Sequence, residues 1–393
     1  VSDLKFPELQ LTDAAASRVQ RGHQWIFSNE VAESRGTPVP GGEVAVFSAK
    51  KEFLGTALYG KSPLIVARLF SKRSERFSAE LLAERIGNAR QLRETLTPGR
   101  DARRVVFSES DLLPGLIVDQ YGPVLSVQFL TLAMDQRREM ILDELQRQFA
   151  PAAIVERNDT PGREHENLPQ QKGVLRGSVP EDLTVNAGGV RLGVDPVEGQ
   201  KTGLYLDQID NWQLVRPLAP GRKVLDLFCN VGGFGLTAAQ AGAASVRCID
   251  SSEAALSQLL FNAERNGLTE RVRAKGSDGF LYVRSLPDTY DLIICDPPPF
   301  ARSRKQLESA LRGYRELNRQ CIKLLQPGGI LITCSCSAAV GDVDFDKMLT
   351  LAARDAGRMM RLLPGGGQPA DHAPLLAMPE TQYLKIRIVQ ALD

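Results

Sequence analysis

Four aspartates stand where a folded chain would place chemistry. Asp226 follows the apolar start of VLDLF, Asp250 ends SVRCID, Asp278 ends VRAKGSD, and Asp296 opens DPPPF directly after DLIIC. Isolated acids are usually surface residues. Acids that repeatedly end buried runs face the strand ends at which nucleotide-like ligands bind. Between the first two lies CNVGGFG, in which Gly232 and Gly233 would let the backbone come close to a ligand while the next helix presents its amide end. On its own the pair fits a mere tight turn equally well, and it lacks the GxGxxG pattern of dinucleotide folds. Asp250 comes 24 residues after Asp226, a position from which a carboxylate can bind two ribose hydroxyls. The set points to a cofactor that carries a nucleoside.

A second group is built on sulfur and a rigid turn. LITCSCSAAV is an apolar strand that ends in Cys334 and Cys336. One residue apart, the two face the same side of a strand, and a thiolate there could act as a nucleophile. Isolated buried cysteines mostly just pack, and that reading is kept for Cys229, Cys248, Cys295 and Cys321. In DPPPF, Pro297 and Pro298 fix the turn and hold the carboxylate of Asp296 in place, although such a turn can also do no more than end a strand.

The elements that must position these groups begin near residue 200. From there the chain repeats strand, glycine turn, helix, strand, which implies a parallel sheet with helices on both faces. Upstream the texture differs. Residues 1–73 alternate short β-like runs with turns at Gly41, Gly42, Gly55 and Gly60, the pattern of a small β-barrel; Trp25 and Phe27 alternate as core residues would. Residues 74–180 read as a compact α+β module, with 159–173 as an exposed polar loop. Residues 181–393 open with a hairpin, LTVNAGGVRLGVD, turning at Gly188 and Gly189.

Composition narrows the class. A chain of 393 residues exceeds one typical core, so two or three domains are expected. Hydrophobic residues at 43% and charged residues at 24% describe a globular protein. The net charge of +1 decides nothing, because a nucleic-acid enzyme can concentrate its positive charge on one surface. No apolar run approaches the ~20 residues of a membrane span, and VSDLKFPELQ has no signal-peptide core. The six cysteines form no CxxC pair and the three histidines lie far apart, so no metal site is expected and the reducing cytoplasm fits best.

LDLFCNVGGFG at 225–235, the acid at Asp250, SDG at 277–279 and DPPPF at 296–300 resemble the first four motifs of class I S-adenosylmethionine-dependent methyltransferases. The resemblance implies that Asp226, Asn230 and Gly232 surround the methionine moiety of that cofactor. Asp250 and Ser251 would hold the ribose edge, and Asp278 and Gly279 would sit at the adenine. In such enzymes acting on nucleobases, the DPPPF position lies where the target base enters, which implies roles for Asp296, Pro297, Pro298 and Phe300.

Along the whole chain the sequence resembles the RlmI-type 23S ribosomal RNA cytosine-5 methyltransferases. The matching segments are RGHQWIFSNE at 21–30, SDLLPGLIVDQYG at 110–122, GQKTGLYLDQ at 199–208, RGYRELN at 312–318, TCSCS at 333–337 and ADHAPLLAMPETQYLK at 370–385. The implied architecture is α/β: a mostly parallel Rossmann-like methyltransferase sheet at the carboxy end, a PUA-like barrel at the amino end, and a small central α+β domain. The register makes Cys336 the nucleophile, and the resemblance puts Gln208 near the cofactor. Pro299 departs from the lysine expected in DPPKF.

Large-subunit ribosomal RNA is the implied partner, with a homodimer left open. Arg302, Arg304, Lys305, Arg312 and Arg315 could bind phosphate beside the pocket or simply form a solvated helical face. Arg21 is a further candidate in the barrel. The expected reaction is thiolate addition to carbon 6 of cytosine, which turns carbon 5 into a nucleophile. The rivals are methylation at another atom, such as guanine N7, which needs no cysteine, a non-catalytic RNA-binding protein, and a nicotinamide enzyme, which would need GxGxxG.

Overall fold

The structure, a computed structural model, describes residues 5–285, 288–301 and 303–393. The chain divides into two compact units. One comprises Val1–Leu183, Val194–Leu206 and Ala370–Thr381; the other comprises Thr184–Gly193, Asp207–Pro369 and Gln382–Asp393. This division cuts across the three expected segments, because 194–206 and 370–381 join the amino-terminal unit. Among the described residues no helix is long and apolar enough to cross a membrane.

The second unit is built on seven strands: β1 (Lys223–Leu227), β2 (Ser245–Asp250), β3 (Val272–Gly276), β4 (Tyr290–Cys295), β5 (Leu325–Ser335), β6 (Met360–Leu363) and β7 (Lys385–Ala391). Their spatial order is β3-β2-β1-β4-β5-β7-β6. Strands β1 to β5 pair in parallel, while β7 lies antiparallel between β5 and β6. The sheet is the expected mostly parallel one. Its central strands read as unbroken apolar runs because both faces are covered: Leu225, Leu227, Ile293 and Leu331 are fully buried.

Helices α1 (Gly233–Gln240), α2 (Glu253–Arg265), α3 (Gly279–Ser285), α4 (Leu307–Lys323) and α5 (Asp342–Ala356) connect the strands. On α4 the buried residues are Ala310, Tyr314, Leu317, Asn318, Cys321 and Ile322, a helical stripe that joins one core with β1, β4, β5 and α5. The strand order reverses between β1 and β4, so the crevice at their carboxyl ends is where a ligand belongs. The hairpin is present as Thr184–Ala187 and Val190–Gly193, with Gly188 and Gly189 both at positive φ as a tight two-residue turn requires.

The first unit holds a six-stranded mixed sheet from Glu8–Leu11 to Ile65–Ser71, and a five-stranded sheet from Ala102–Phe107 to Lys172–Gly177. Among the described residues the six-stranded ladder runs from Trp25–Phe27 at one end to Val31–Arg35 at the other. Ile26, not Trp25 or Phe27, enters its core. The alternation was right and its parity wrong: Trp25 donates from Nε1 to Glu109 at 2.8 Å, and Phe27 lies under the guanidinium of Arg18. The segment expected as an exposed loop contains a 3-10 helix, Pro161–Glu166, that buries Arg163 and Glu166. Arg68 pairs with Glu166 at 2.7 Å, while Pro161, Gly162, Glu164 and His165 of the same segment stay exposed as expected.

Candidate active site

Three of the four aspartates gather at the carboxyl ends of β1, β2 and β4. Asp226 is buried, and its Oδ2 accepts the amide of Gly235 at 2.8 Å. Its Oδ1 is buried with no hydrogen-bond partner. Burial pushes this carboxyl well above the usual carboxylate range; the Gly235 amide opposes the rise, and Asp296 and Asp250 add to it. A buried acceptor among three mutually repelling carboxylates fits a ligand that brings positive charge and an N–H donor. Asp250 accepts the amide of Asn230 on Oδ2 and that of Ser252 on Oδ1, both at 2.9 Å. It thereby ties the glycine loop to the start of α2.

The loop between Asp226 and α1 is bent tightly. Phe228 and Asn230 have φ of 61° and 48°, and Gly232 has 94°, a region glycine enters without steric cost. Gly233 answers to a different demand: a Cβ there would meet the Trp212 indole at 2.2 Å. Its smallness therefore also serves packing against Trp212.

Asp296 follows β4 and is half-buried. Gln208 donates from Nε2 to its Oδ2 at 2.9 Å, and Asn211 donates to Gln208 Oε1 at 2.9 Å. This relay fixes the carboxylate from the segment just before β1, so Gln208 acts on Asp296 directly. The two candidate thiols part company. Cys334 is still in β5 and fully buried; burial pushes its thiol well above the usual range, and Asp296 adds to the rise. Strand β5 ends at Ser335, so the expectation that both sulfurs share a strand face does not hold. Cys336 lies beyond the strand, half-exposed, with Sγ 4.0 Å from the carbonyl of Pro297.

Ser337, which the sequence reading passed over, joins the two functional turns. Its Oγ accepts the amides of Phe300 at 3.0 Å and Ala301 at 3.2 Å, and bonds to the Tyr314 hydroxyl at 3.0 Å. The available signal was the double serine in TCSCS and the tyrosine in RGYRELN. Lys385 and Tyr383 were likewise present in QYLK without an assigned role. Lys385 Nζ donates to the carbonyl of Ser337, and the Tyr383 hydroxyl donates to Asp207 at 2.8 Å.

The remaining expected residues are placed as follows. Asp278 is exposed, and its Oδ1 accepts the Leu281 amide at 3.0 Å, capping α3. Gly279 lies under the Phe228 ring, which a Cβ would meet at 2.6 Å. Ser251 and Pro298 are exposed and Pro297 is buried. Phe300 packs in a row of rings, 5.4 Å from Phe280 and 4.2 Å from Tyr314. Arg302 lies outside the described residues. On α4, Arg315 donates from Nε to Asp355 of α5 at 2.6 Å, whereas Arg304, Lys305 and Arg312 are exposed. Arg21 belongs to the first unit, where it donates to Ser17 Oγ at 2.8 Å.

A family model described as S-adenosylmethionine-dependent methyltransferase matches residues 137–363, and one described as PUA-like domain matches residues 9–72. The chain is 37% identical over 385 residues to the ribosomal RNA large subunit methyltransferase I of Shewanella amazonensis, covering 96% of this chain and 97% of that one. The protein of the same name from Vibrio cholerae is 35% identical over 388 residues, covering 96% and 98%. A Streptococcus mutans structure, solved as a candidate SAM-dependent methyltransferase, matches with a TM-score of 0.84 at 22% identity, covering 98% of this chain and 99% of that chain. That likeness supports the fold. The motifs, the sheet order and these relatives agree: the chain belongs to the S-adenosylmethionine-dependent methyltransferase family, alongside the ribosomal RNA large subunit methyltransferase I proteins.

Proposed function

We propose that this chain methylates carbon 5 of a cytosine in large-subunit ribosomal RNA, with Cys336 as the nucleophile and Asp296 at the ring edge. The observation that carries the reading is the contrast between the two thiols of TCSCS: Cys334 is sealed in the sheet, while Cys336 is accessible against the turn of DPPPF. The cofactor is S-adenosylmethionine, and the residues suit it. Asp226, with its unpartnered oxygen, would take the positively charged amino group, and Asp250 would take the ribose hydroxyls. Asn230 and Gly232 would shape the loop around the methionine part, with Ser251, Asp278 and Gly279 at the nucleoside end.

Bound S-adenosylmethionine supplies an electrophilic methyl on its sulfonium. Carbon 5 of cytosine is too weak a nucleophile to take it unaided. The Cys336 thiolate adds to carbon 6, and the electron pair of the 5,6 double bond makes the ring enamine-like. Asp296, oriented by Gln208, binds or protonates the ring edge and so stabilises the adduct. Carbon 5 then takes the methyl, its proton leaves, and elimination of the thiol restores the ring. Methylation of guanine N7 would make no use of an accessible thiol here.

RNA carrying 5-fluorocytosine tests the chemistry, because fluorine replaces the proton that must leave. A covalent protein–RNA species that is absent from Cys336→Ala is expected. Cys336→Ala should also lose methyl transfer while binding cofactor normally. Retained transfer by that variant, or no trapped species on a competent substrate, would remove the covalent scheme.

A further inference from the structure

One residue from the sulfur of Cys336, a buried amine is anchored that the reaction above does not use. Lys385 opens β7 opposite Ser335, the last residue of β5, and is 4% exposed. Its Nζ donates to the carbonyl of Ser337 and to that of Tyr383, each at 2.7 Å. Ser337 directly follows Cys336, so the amine grips the turn that carries the thiol. Two donated bonds leave one N–H of an ammonium over.

Burying an ammonium is costly unless something balances it. Burial pushes this amine down to about 8, while Asp342 and Cys336 favour its charged form and Arg387 opposes it. It is therefore mainly an ammonium at neutral pH. Asp342, on α5, is already bound by Arg387 at 2.8 Å, and Arg387 also holds Asp346 at 2.5 Å. The thiol of Cys336 is the second group that favours the charged amine. An ammonium beside a thiol favours the thiolate, which is the form that attacks.

We propose that Lys385 is the positioning residue of the nucleophile: it fixes the Cys336–Ser337 turn through two backbone carbonyls, and its ammonium stabilises the Cys336 thiolate. The proposal rests on Cys336 being the nucleophile. The test is the rate of iodoacetamide alkylation of Cys336 against pH in the full chain without RNA, with the modified residue located by tandem mass spectrometry. The other five cysteines are buried.

The wild-type profile should have its midpoint below the ~8.5 of a free thiol. Lys385→Met should raise that midpoint and slow alkylation at pH 7 about tenfold. Its kcat should fall in parallel while cofactor affinity is kept, and Lys385→Arg, which keeps the charge, should recover most of the loss. An unchanged alkylation profile in a folded Lys385→Met protein would overturn the electrostatic role. If that variant does not fold, a wild-type midpoint at or above the free-thiol value overturns it instead. Should Cys336→Ala keep transferring methyl groups, the nucleophile assignment fails, while the alkylation profile still reports on Lys385.

Discussion

Burial raises the Asp226 carboxyl well above the usual range, and its proposed partner is the cationic amino group of the cofactor. Asp226→Asn removes the charge and keeps the shape, so cofactor affinity should fall more than about tenfold, on the order of 1.4 kcal/mol or more. Calorimetry with S-adenosylmethionine reads this directly, and an unchanged dissociation constant would end the ammonium role. Lys385 makes a pH prediction. Its folded value of about 8 lies below its usual 10.5, so between those values the unfolded chain binds more protons and stability rises with pH. Across pH 8 to 10.5 the wild type should gain on the order of 2 kcal/mol relative to Lys385→Met, measured by urea unfolding at both ends of the window. A constant difference would show that the amine titrates normally. The aspartates were legible in the sequence because each ends an apolar run. Ser337 and Lys385 were not, because their partners lie 37 and 48 residues away and no local pattern announces such a contact.

Two turns, one after β4 and one after β5, must keep register with each other, and Ser337 is the hydroxyl that both share. Ser337→Ala would leave the Phe300 and Ala301 amides without their acceptor, at a cost of about 1–3 kcal/mol. The melting temperature should drop and kcat should fall with cofactor affinity kept; unchanged kcat would mean the turns hold each other by packing alone. At the head of α1, Gly233→Ala would drive a methyl into the Trp212 indole, so a loss of about 1–3 kcal/mol is expected, with weaker cofactor binding as the loop shifts. Thermal unfolding and calorimetry on that variant check both. At this scale the main sheet could be read from its apolar runs, whereas the helix Pro161–Glu166 could not. Most of its residues are solvated, but Glu166 is buried against Arg68, far away in the sequence. The parity of Trp25 and Phe27 failed for a related reason: in a three-residue strand, alternation alone does not say which face is inside.

Each compact unit is assembled from distant stretches of chain. In the first, Arg93 donates through Nε at 3.2 Å and Nη2 at 3.1 Å to the carbonyl of Asp371. The Asp371 carboxylate accepts the Arg104 amide at 2.9 Å and pairs with His372 at 2.9 Å. Asp371→Ala keeps the carbonyl that holds Arg93 but leaves the Arg104 amide and the His372 ring without their acceptor, and should destabilise that unit by about 1–3 kcal/mol. Hydrogen exchange would show lost protection in the five-stranded sheet, and full protection there would sink the idea. No composition shift marks 370–381 as belonging with residues from the first half, so the expected partition at residue 181 missed it. The same arrangement sets a timetable for the nascent chain. Roughly 190 residues separate the end of the first stretch from the clip at Ala370–Thr381, about 10–40 s of translation. The second unit in turn waits for β7, which is inserted between two strands already made. A chain cut before Ala370 would therefore lack a piece of each core at once, the 370–381 clip of the first unit and β7 of the second.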